Sequence, residues 1–422
     1  MKLLKNKLIQ SLGIYTLSNV LNSAIPFLLL PLLTTYLAPS DYGVLTNYNS
    51  LINILVPFVS LNLMASLQVI FIKDKAEFPS YISSGMATMG ALTLFFSILL
   101  FVFSAQLEEL LGVPRRFIYL TAVYATYQNL VEVVLSIWRM EEKALSYGIF
   151  RVARTIIELS IAVILITVFG LSFEGTIYAL IYSYGAGAIV TIYILFRKGL
   201  LVNNIQKRHV MHLITYGLPL IPHVLGGVIV MYSDKLVLTY YHGLTSNGIY
   251  SVGFMVGQVI GLLQNSFNQA WVPWVFKKLK SGSHSEKLSV VKWTYIYFIG
   301  ILVITGLFYL CTPLIFYFLG KSYGAGMELV LWIALGFAFN GMYKMVGVYF
   351  FYEERTRPIA LVSILTAVVN LLLILWWVPD YGYTGASIAT MIALFLQFIA
   401  TWIWSFSVTK MPWNLKSEDS EA

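Results

Sequence analysis

Stretches of about 20 consecutive apolar residues, one after another with only short polar breaks, fill nearly the whole of this chain. A helix of that length crosses a hydrocarbon core about 30 Å thick. Lipid offers no partner to a free N–H or C=O, so only structures that satisfy their own backbone can occupy it. Hydrophobic residues make up 59% of the 422 residues and charged residues 11%, against roughly a quarter charged in soluble domains. A water-soluble chain of this size needs a charged exterior. The exterior here is lipid.

The apolar runs predict helices near 10–37, 43–72, 81–106, 116–138, 148–170, 174–196, 212–241, 247–276, 289–319, 325–352, 358–378 and 383–408. The expected fold class is an all-α polytopic membrane protein with about 12 transmembrane helices. Pro26, Pro31, Pro57, Pro219, Pro222, Pro273 and Pro313 fall within these runs. Kinks are tolerated where neighbours or cavity water meet the freed backbone groups. Residues 1–7 are basic, but the apolar run after them continues to Leu37, too long for the core of a signal peptide, so it reads as the first membrane helix.

The 27 lysines and arginines test this layout. When successive loops alternate sides, nearly all fall on the face that carries the amino terminus. Only Arg115, Arg116 and Lys321 lie opposite, while Lys235 and Lys344 lie inside helices. The positive-inside rule then places both termini in the cytoplasm of a bacterial inner membrane. The net charge of +8 is thus a topology signal, and no nucleic-acid partner is expected. The single cysteine, Cys311, excludes a disulfide framework and reads as a small apolar helix residue.

A faint internal repeat divides the chain. Tyr36-Leu-Ala-Pro-Ser-Asp-Tyr-Gly43 matches Tyr241-His-Gly-Leu-Thr-Ser-Asn-Gly248, and Gly175-Thr-Ile-Tyr-Ala-Leu echoes Gly385-Ala-Ser-Ile-Ala-Thr. The expected domains are six-helix lobes over 1–205 and 206–422, related as a parallel repeat. Transporters built this way bind substrate near the midplane and alternate between inward- and outward-open states.

Enzymatic motifs are missing. Gly320-Lys321-Ser322 resembles the end of a phosphate-binding loop, but Ile315 takes the first glycine position. No HExxH or DxD pattern occurs, and His209 and His212 sit at a basic interface, so no metal, cofactor or catalytic residue is expected. All connections are short, which argues against a membrane-embedded polymerase or ligase, since such an enzyme needs a large outer loop.

Charges inside helices are the informative departures, because each costs about 2.5–3.5 kcal/mol at a helix centre. Glu132 and Arg139 lie on the fourth helix; Arg151, Arg154 and Glu158 lie on the fifth. Arg154 and Glu158 are spaced to pair. Counting outward from the turn near Ala144, Glu132 reaches the depth of Arg154 and Glu158, and Arg139 meets Arg151. This hairpin reads either as a salt-bridge network locking two helices or as a cationic landing site for a phosphate. The excess of arginine favours the anion, which it binds bidentately. Glu132, Glu158 and Asp234 are the candidates for coupling to a proton or cation. Asp234 and Lys235 are adjacent on the seventh helix, so their side chains leave about 100° apart and are not expected to face one partner. Lys235 and Lys344 are expected to offer two cations to a lipid pyrophosphate at successive depths. The 28 Tyr, 27 Phe and 10 Trp suit sugar stacking and interfacial belts, with no individual ring singled out.

Four segments resemble one family. They are Pro31-Leu-Leu-Thr-Thr-Tyr-Leu-Ala-Pro-Ser-Asp-Tyr-Gly-Val-Leu45, Ile137-Trp-Arg-Met-Glu-Glu-Lys-Ala-Leu-Ser-Tyr147, and Ser233-Asp-Lys-Leu-Val-Leu238 with Gly248-Ile-Tyr250. The fourth is Asn370-Leu-Leu-Leu-Ile-Leu-Trp-Trp-Val-Pro-Asp-Tyr-Gly-Tyr-Thr-Gly-Ala386. In this order they resemble the O-antigen and polysaccharide-biosynthesis flippases of the multidrug/oligosaccharidyl-lipid/polysaccharide exporter superfamily. The resemblance implies two lobes around a central cavity and alternating access. It implies an undecaprenyl-pyrophosphate-linked oligosaccharide as cargo, with a polysaccharide polymerase and a chain-length regulator as partners. Of the charged residues, it carries over Asp234 and Arg139 without fixing their roles. Twelve helices differ from the fourteen of peptidoglycan lipid flippases. A drug/cation antiporter of the same superfamily is the alternative, and it would favour a cavity dominated by acids.

Overall fold

A computed structural model describes residues 13–415, apart from 15, 16, 20, 26, 28 and 356 and the side chain of residue 223. Pro26, the start of the first expected helix, and Lys2, Lys5, Lys7 and Lys416 from the charge pattern lie outside the described residues. The described residues form helices and no strand. They divide into two compact units, Met1–Val228 and Ile229–Ala422.

The first unit holds α1 (Leu30–Tyr36), α2 (Pro39–Ser60), α3 (Leu63–Lys73), α4 (Phe78–Val102) and α5 (Ser104–Leu111). It continues with α6 (Arg115–Met140), α7 (Ala144–Thr167), α8 (Phe173–Arg197) and α9 (Lys207–Gly217). A short 3₁₀ turn, Leu218–Leu220, leads into α10 (Ile221–Gly257), which runs into the second unit. There follow α11 (Val259–Ser281), α12 (His284–Leu310), α13 (Thr312–Tyr317), a 3₁₀ segment Lys321–Leu329, α14 (Val330–Tyr352) and α15 (Arg357–Val408).

Eight segments of the described residues are long and apolar enough to cross a membrane. Two of these, Val224–Ser281 and Arg357–Val408, are long enough for two crossings each. Each contains one glycine at non-helical angles, Gly243 (φ 76°) and Gly382 (φ 52°), where the chain turns back. Left-handed φ is open to glycine because it lacks a Cβ. The remaining long helices, α6 and α7, fall short of the apolar criterion because they carry the charged and polar side chains of the candidate site. Counted this way, the described residues hold twelve helical segments of crossing length, the number expected.

Proline sets several starts: Pro39 opens α2, where its missing N–H is no loss. The expected helix at 43–72 is broken. Leu61 (φ 46°) and Asn62 (φ 52°) both adopt left-handed angles and separate α2 from α3, four residues beyond Pro57. The Asn62 side-chain amide donates to the Gly217 carbonyl, at the end of α9, at 3.3 Å. Cys311 likewise sits at a break, between α12 and α13, and is exposed.

α9 and the first turns of α10, given from sequence to the second lobe, pack in the first unit. Leu213 and Ile221 share a core with Leu61, Leu67, Phe78, Tyr81, Ile137 and Leu195. The histidines of α9 dock on the start of α4. His212 Nδ1 meets the Tyr81 hydroxyl at 2.8 Å, and His209 Nε2 lies 3.2 Å from Glu77. The second unit's largest core joins Trp271 and Val275 of α11 with Phe298 of α12, Met345 and Tyr349 of α14 and Phe398 of α15. Leu94, Phe95, Ile98 and Phe101 on α4, and Ile299, Val303 and Leu307 on α12, are exposed. In lipid such apolar rows are the solvated surface.

Candidate functional site

Glycines bring the helices of the first unit close enough to build the site. A Cβ on Gly187 of α8 would stand 2.9 Å from Val131 Cγ2 and 3.8 Å from Arg154 Cδ, so its absence lets α6 and α7 pack tightly against α8. A Cβ on Gly148 of α7 would stand 2.5 Å from Ser18 Oγ, which admits the chain around Asn19 and Asn22 beside α7.

Within that frame Arg154 donates to the Glu158 carboxylate at 2.5 Å, with side-chain exposures of 10% and 19%. The Arg154 guanidinium lies 3.9 Å from the centre of the Tyr184 ring on α8, a cation–π contact. Tyr124 meets Tyr184 edge-on at 5.3 Å and fixes that platform. Arg154 also donates to Thr155 Oγ1 at 3.1 Å, and Thr155 donates to Asn22 Oδ1 at 2.7 Å.

One turn away, Arg151 donates to the Tyr147 hydroxyl, which donates to Asn19 Oδ1 at 3.1 Å. Arg139 and Arg151 both stand 5.7 Å from the Tyr147 ring centre. The expected meeting of these two arginines therefore takes place through an aromatic ring. Glu132 pairs with Arg139 of its own helix at 3.7 Å, where the depth count had set it level with Arg154 and Glu158. Arg151 meets no carboxylate among the described residues.

In the second unit Asp234 is 0% exposed and Lys235 5%. Asp234 accepts from the Tyr250 hydroxyl, from the Lys235 backbone N–H at 2.8 Å and from Lys235 Nζ at 3.4 Å. The Lys235 ammonium also donates to the Met231 carbonyl at 2.5 Å and lies 3.8 Å from the Phe254 ring centre. Two expectations are corrected here. The two side chains do share surroundings, because the four-carbon stem of lysine folds back one turn and carries Nζ across to Asp234 and the Tyr250–Phe254 rings. Lys235 is also enclosed, not an open cation. Lys344 differs: it is half-buried and donates to Asn265 Oδ1 at 2.5 Å. Lys235 and Lys344 share no partner among the described residues.

The ion pairs inside the spans, among the described residues, share one feature. Glu132–Arg139, Arg154–Glu158 and Asp234–Lys235 each pair along a single helix. The pairs that join different elements sit at helix ends: Arg115–Glu108, Arg116–Glu174, Lys198–Glu141, Arg208–Glu77 and Lys278–Glu286, with His209 beside Glu77 as well. Among the described residues, no ion pair inside the spans joins one span to another.

Sequence reasoning missed Tyr184, Asn19 and Asn22, and it quoted Tyr147 and Tyr250 without a role. Depth counting finds Tyr250: measured from the turn at Gly243, it and Asp234 stand at similar heights. Tyr184 had only a weak signal, its place beside Gly185 and Gly187.

Helices on this plan, with charge gathered on α6 and α7 and sealed on α10, make a polytopic all-helical membrane protein with the fold found in the MOP superfamily. An inward-facing multidrug resistance MATE family transporter of that superfamily is similar with a TM-score of 0.72 and 14% identity, over 93% of this chain and 94% of that one. The lipid II flippase MurJ, in an inward closed conformation, is similar with a TM-score of 0.72 and 17% identity, over 98% of this chain and 89% of that one. An uncharacterized membrane protein of Haemophilus influenzae is 23% identical over 377 residues, covering 86% of this chain and 89% of the relative. The family described as polysaccharide biosynthesis protein matches residues 8–280, and the chain belongs to it.

Proposed function

We propose that this chain is a flippase that moves an undecaprenyl-pyrophosphate-linked oligosaccharide, an O-antigen or other surface-polysaccharide repeat unit, from the cytoplasmic to the outer leaflet. It works by alternating access in the bacterial inner membrane, with both termini cytoplasmic, as a transporter and not an enzyme. The carrying observation is the charge arrangement on α6 and α7. Three arginines face two glutamates there, and each ion pair runs along its own helix. A network built to lock the hairpin would pair across it. The surplus cation, Arg151, is held by Tyr147 alone among the described residues it donates to. An arginine with forked donors still free matches a pyrophosphate. Membership of a polysaccharide-biosynthesis family supports a polysaccharide precursor as the class of cargo. The gradient that drives transport enters through Glu132 or Glu158, the carboxylates nearest those arginines.

The test is protein-dependent translocation in proteoliposomes loaded with undecaprenyl-pyrophosphate oligosaccharide from the strain of origin. Outer-leaflet accessibility is followed for the native chain, Arg151→Gln and Arg154→Gln. Translocation lost in folded variants supports the cationic site. Translocation that survives both leaves the flippase and removes the arginines from its mechanism. No translocation of lipid-linked sugar by folded native protein, with an ion gradient imposed, overturns the proposal in favour of drug antiport.

A further inference from the structure

Tyr147 lies in the first turn of α7 and is 2% exposed. Its ring is fixed in a core with Val131, Val134, Leu135 and Trp138 of α6. Phe150 meets Trp138 edge-on at 5.5 Å and holds the two helices together beside it. The hydroxyl accepts from Arg151 and donates to Asn19 Oδ1 at 3.1 Å, so it is pinned from two sides. Onto this one ring come two arginines from different helices. Arg139, at the end of α6, and Arg151, on α7, each hold their guanidinium carbon 5.7 Å from its centre. The two carbons are therefore no more than twice that distance apart.

The acids around this pair are engaged elsewhere. Glu141, in the turn between the helices, takes Lys143 at 2.9 Å and Lys198 at 2.5 Å. Glu158 takes Arg154 at 2.5 Å. Glu132 reaches Arg139 only at 3.7 Å, with both side chains more than a third exposed, and solvent screens such a pair. Arg151 has no carboxylate within ion-pair distance among the described residues. Both guanidiniums carry five donors in a planar fork, more than these partners use. Arg139 stands in the last turn of α6, and Arg151 roughly 10 Å along α7 from its start by helical rise. The charge pattern puts these helix ends in the cytoplasm, so the pair spans the depth at which phosphate headgroups meet hydrocarbon.

A pyrophosphate offers two phosphoryl groups joined by one oxygen, and each can take a guanidinium fork at about 2.8 Å. A monophosphate filling one fork has no second group for the other. We infer that Arg139 and Arg151 form a two-point cradle that tells a polyprenol pyrophosphate from the same polyprenol carrying one phosphate. Tyr147 is the positioning residue that sets the spacing of the two forks. Because its ring is fixed between the helices, neither arginine can swing in to close on a smaller anion without leaving it. This rests on the flippase reading and adds which phosphate lipid the site admits.

Binding to purified protein in nanodiscs tests the cradle, with undecaprenyl pyrophosphate and undecaprenyl phosphate as probes and no sugar on either. The native chain is expected to bind the pyrophosphate about 10-fold more tightly or better, the factor that one further charge-assisted hydrogen bond supplies. Arg139→Gln and Arg151→Gln are each expected to bring the two lipids close to equal affinity, by weakening the pyrophosphate. Arg139→Lys, which keeps the charge and loses the fork, is expected to lose the same discrimination. Tyr147→Phe keeps the ring and frees Arg151, and is expected to weaken the pyrophosphate about 3- to 10-fold with the phosphate little changed. A role in stability alone would weaken both lipids together. Arg139→Gln, at an exposed position, keeps the test open if Tyr147→Phe does not fold. Equal affinity of the native chain for both lipids, or equal weakening of both in the variants, overturns the cradle, while binding itself keeps the flippase reading. A native chain that binds neither probe but translocates the sugar-bearing lipid overturns the cradle alone. One that does neither removes both proposals.

Discussion

A Cβ added to Gly217 would lie 1.9 Å from the carbonyl oxygen of Leu61. The end of α9 thus rests on the break between α2 and α3, backbone against backbone, and Asn62 donates across the same contact. No rotamer change relieves a clash with a carbonyl. Gly217→Ala is expected to destabilise the first unit by about 3 kcal/mol, at the upper end of overpacking effects. Gly306→Ala, where nothing lies within 4 Å of the added methyl, is expected to leave stability unchanged or raise it slightly. Unfolding midpoints of the two variants in detergent check this.

Arg154 and Glu158 are mostly enclosed, so removing one strands the other. Arg154→Gln or Glu158→Gln alone is expected to cost about 3 kcal/mol, and the double change markedly less than the sum. A double-mutant cycle on unfolding midpoints measures the difference. Additive losses would mean that the pair contributes nothing jointly.

The turn after α6 is expected to be sensitive to pH. Burial of Glu141 opposes its charge, but hydrogen bonds and attraction from Lys198 and Lys143 outweigh that and hold its pKa below the ordinary 4.5. Lys143 is raised above its ordinary 10.5, chiefly by the hydrogen bond to Glu141. A lowered carboxylate stabilises the fold above its unfolded pKa and loses that contribution as pH falls through the folded value. A raised lysine stabilises below its unfolded pKa and loses that contribution as pH rises through the folded value. The cluster therefore stabilises from about pH 5 to about pH 10. Glu141→Gln is expected to flatten the acid limb of a plot of unfolding midpoint against pH, and an unchanged limb would contradict the assignment.

Tyr250 gives Asp234 the one hydrogen bond that comes from another part of the chain among its described partners. Tyr250→Phe keeps the ring near Lys235 and removes only the hydroxyl. A loss of about 1.5–3 kcal/mol is expected, the value of a hydrogen bond to a charged group. Thermal unfolding of the variant beside Tyr232→Phe, whose ring also flanks Lys235, separates the hydroxyl from the ring.

The crossings were legible because lipid imposes a length on every span, and the charged spans because charge there is costly. The Arg154–Glu158 pair followed from helical spacing alone. The break at Leu61 and Asn62 was not legible, since neither is a residue type that demands left-handed angles and Pro57 drew attention to the wrong turn. The enclosure of Lys235 was hidden for another reason. Helical angle fixes where a side chain leaves the backbone, not where a four-carbon stem ends.

The confinement of each intramembrane ion pair to one helix bears on how the chain enters the bilayer. An isolated charge at mid-span costs about 2.5–3.5 kcal/mol during insertion. α7 brings Arg154 together with Glu158, and α10 brings Asp234 together with Lys235, so both carry their own counter-charge before any neighbour arrives. Such helices can leave the translocon one at a time, in the order they are synthesised. Arg151 on α7 and Lys344 on α14 arrive without an acid of their own helix to match them, so the insertion of these two spans depends most on the polar groups beside the cations, Tyr147 and Asn265.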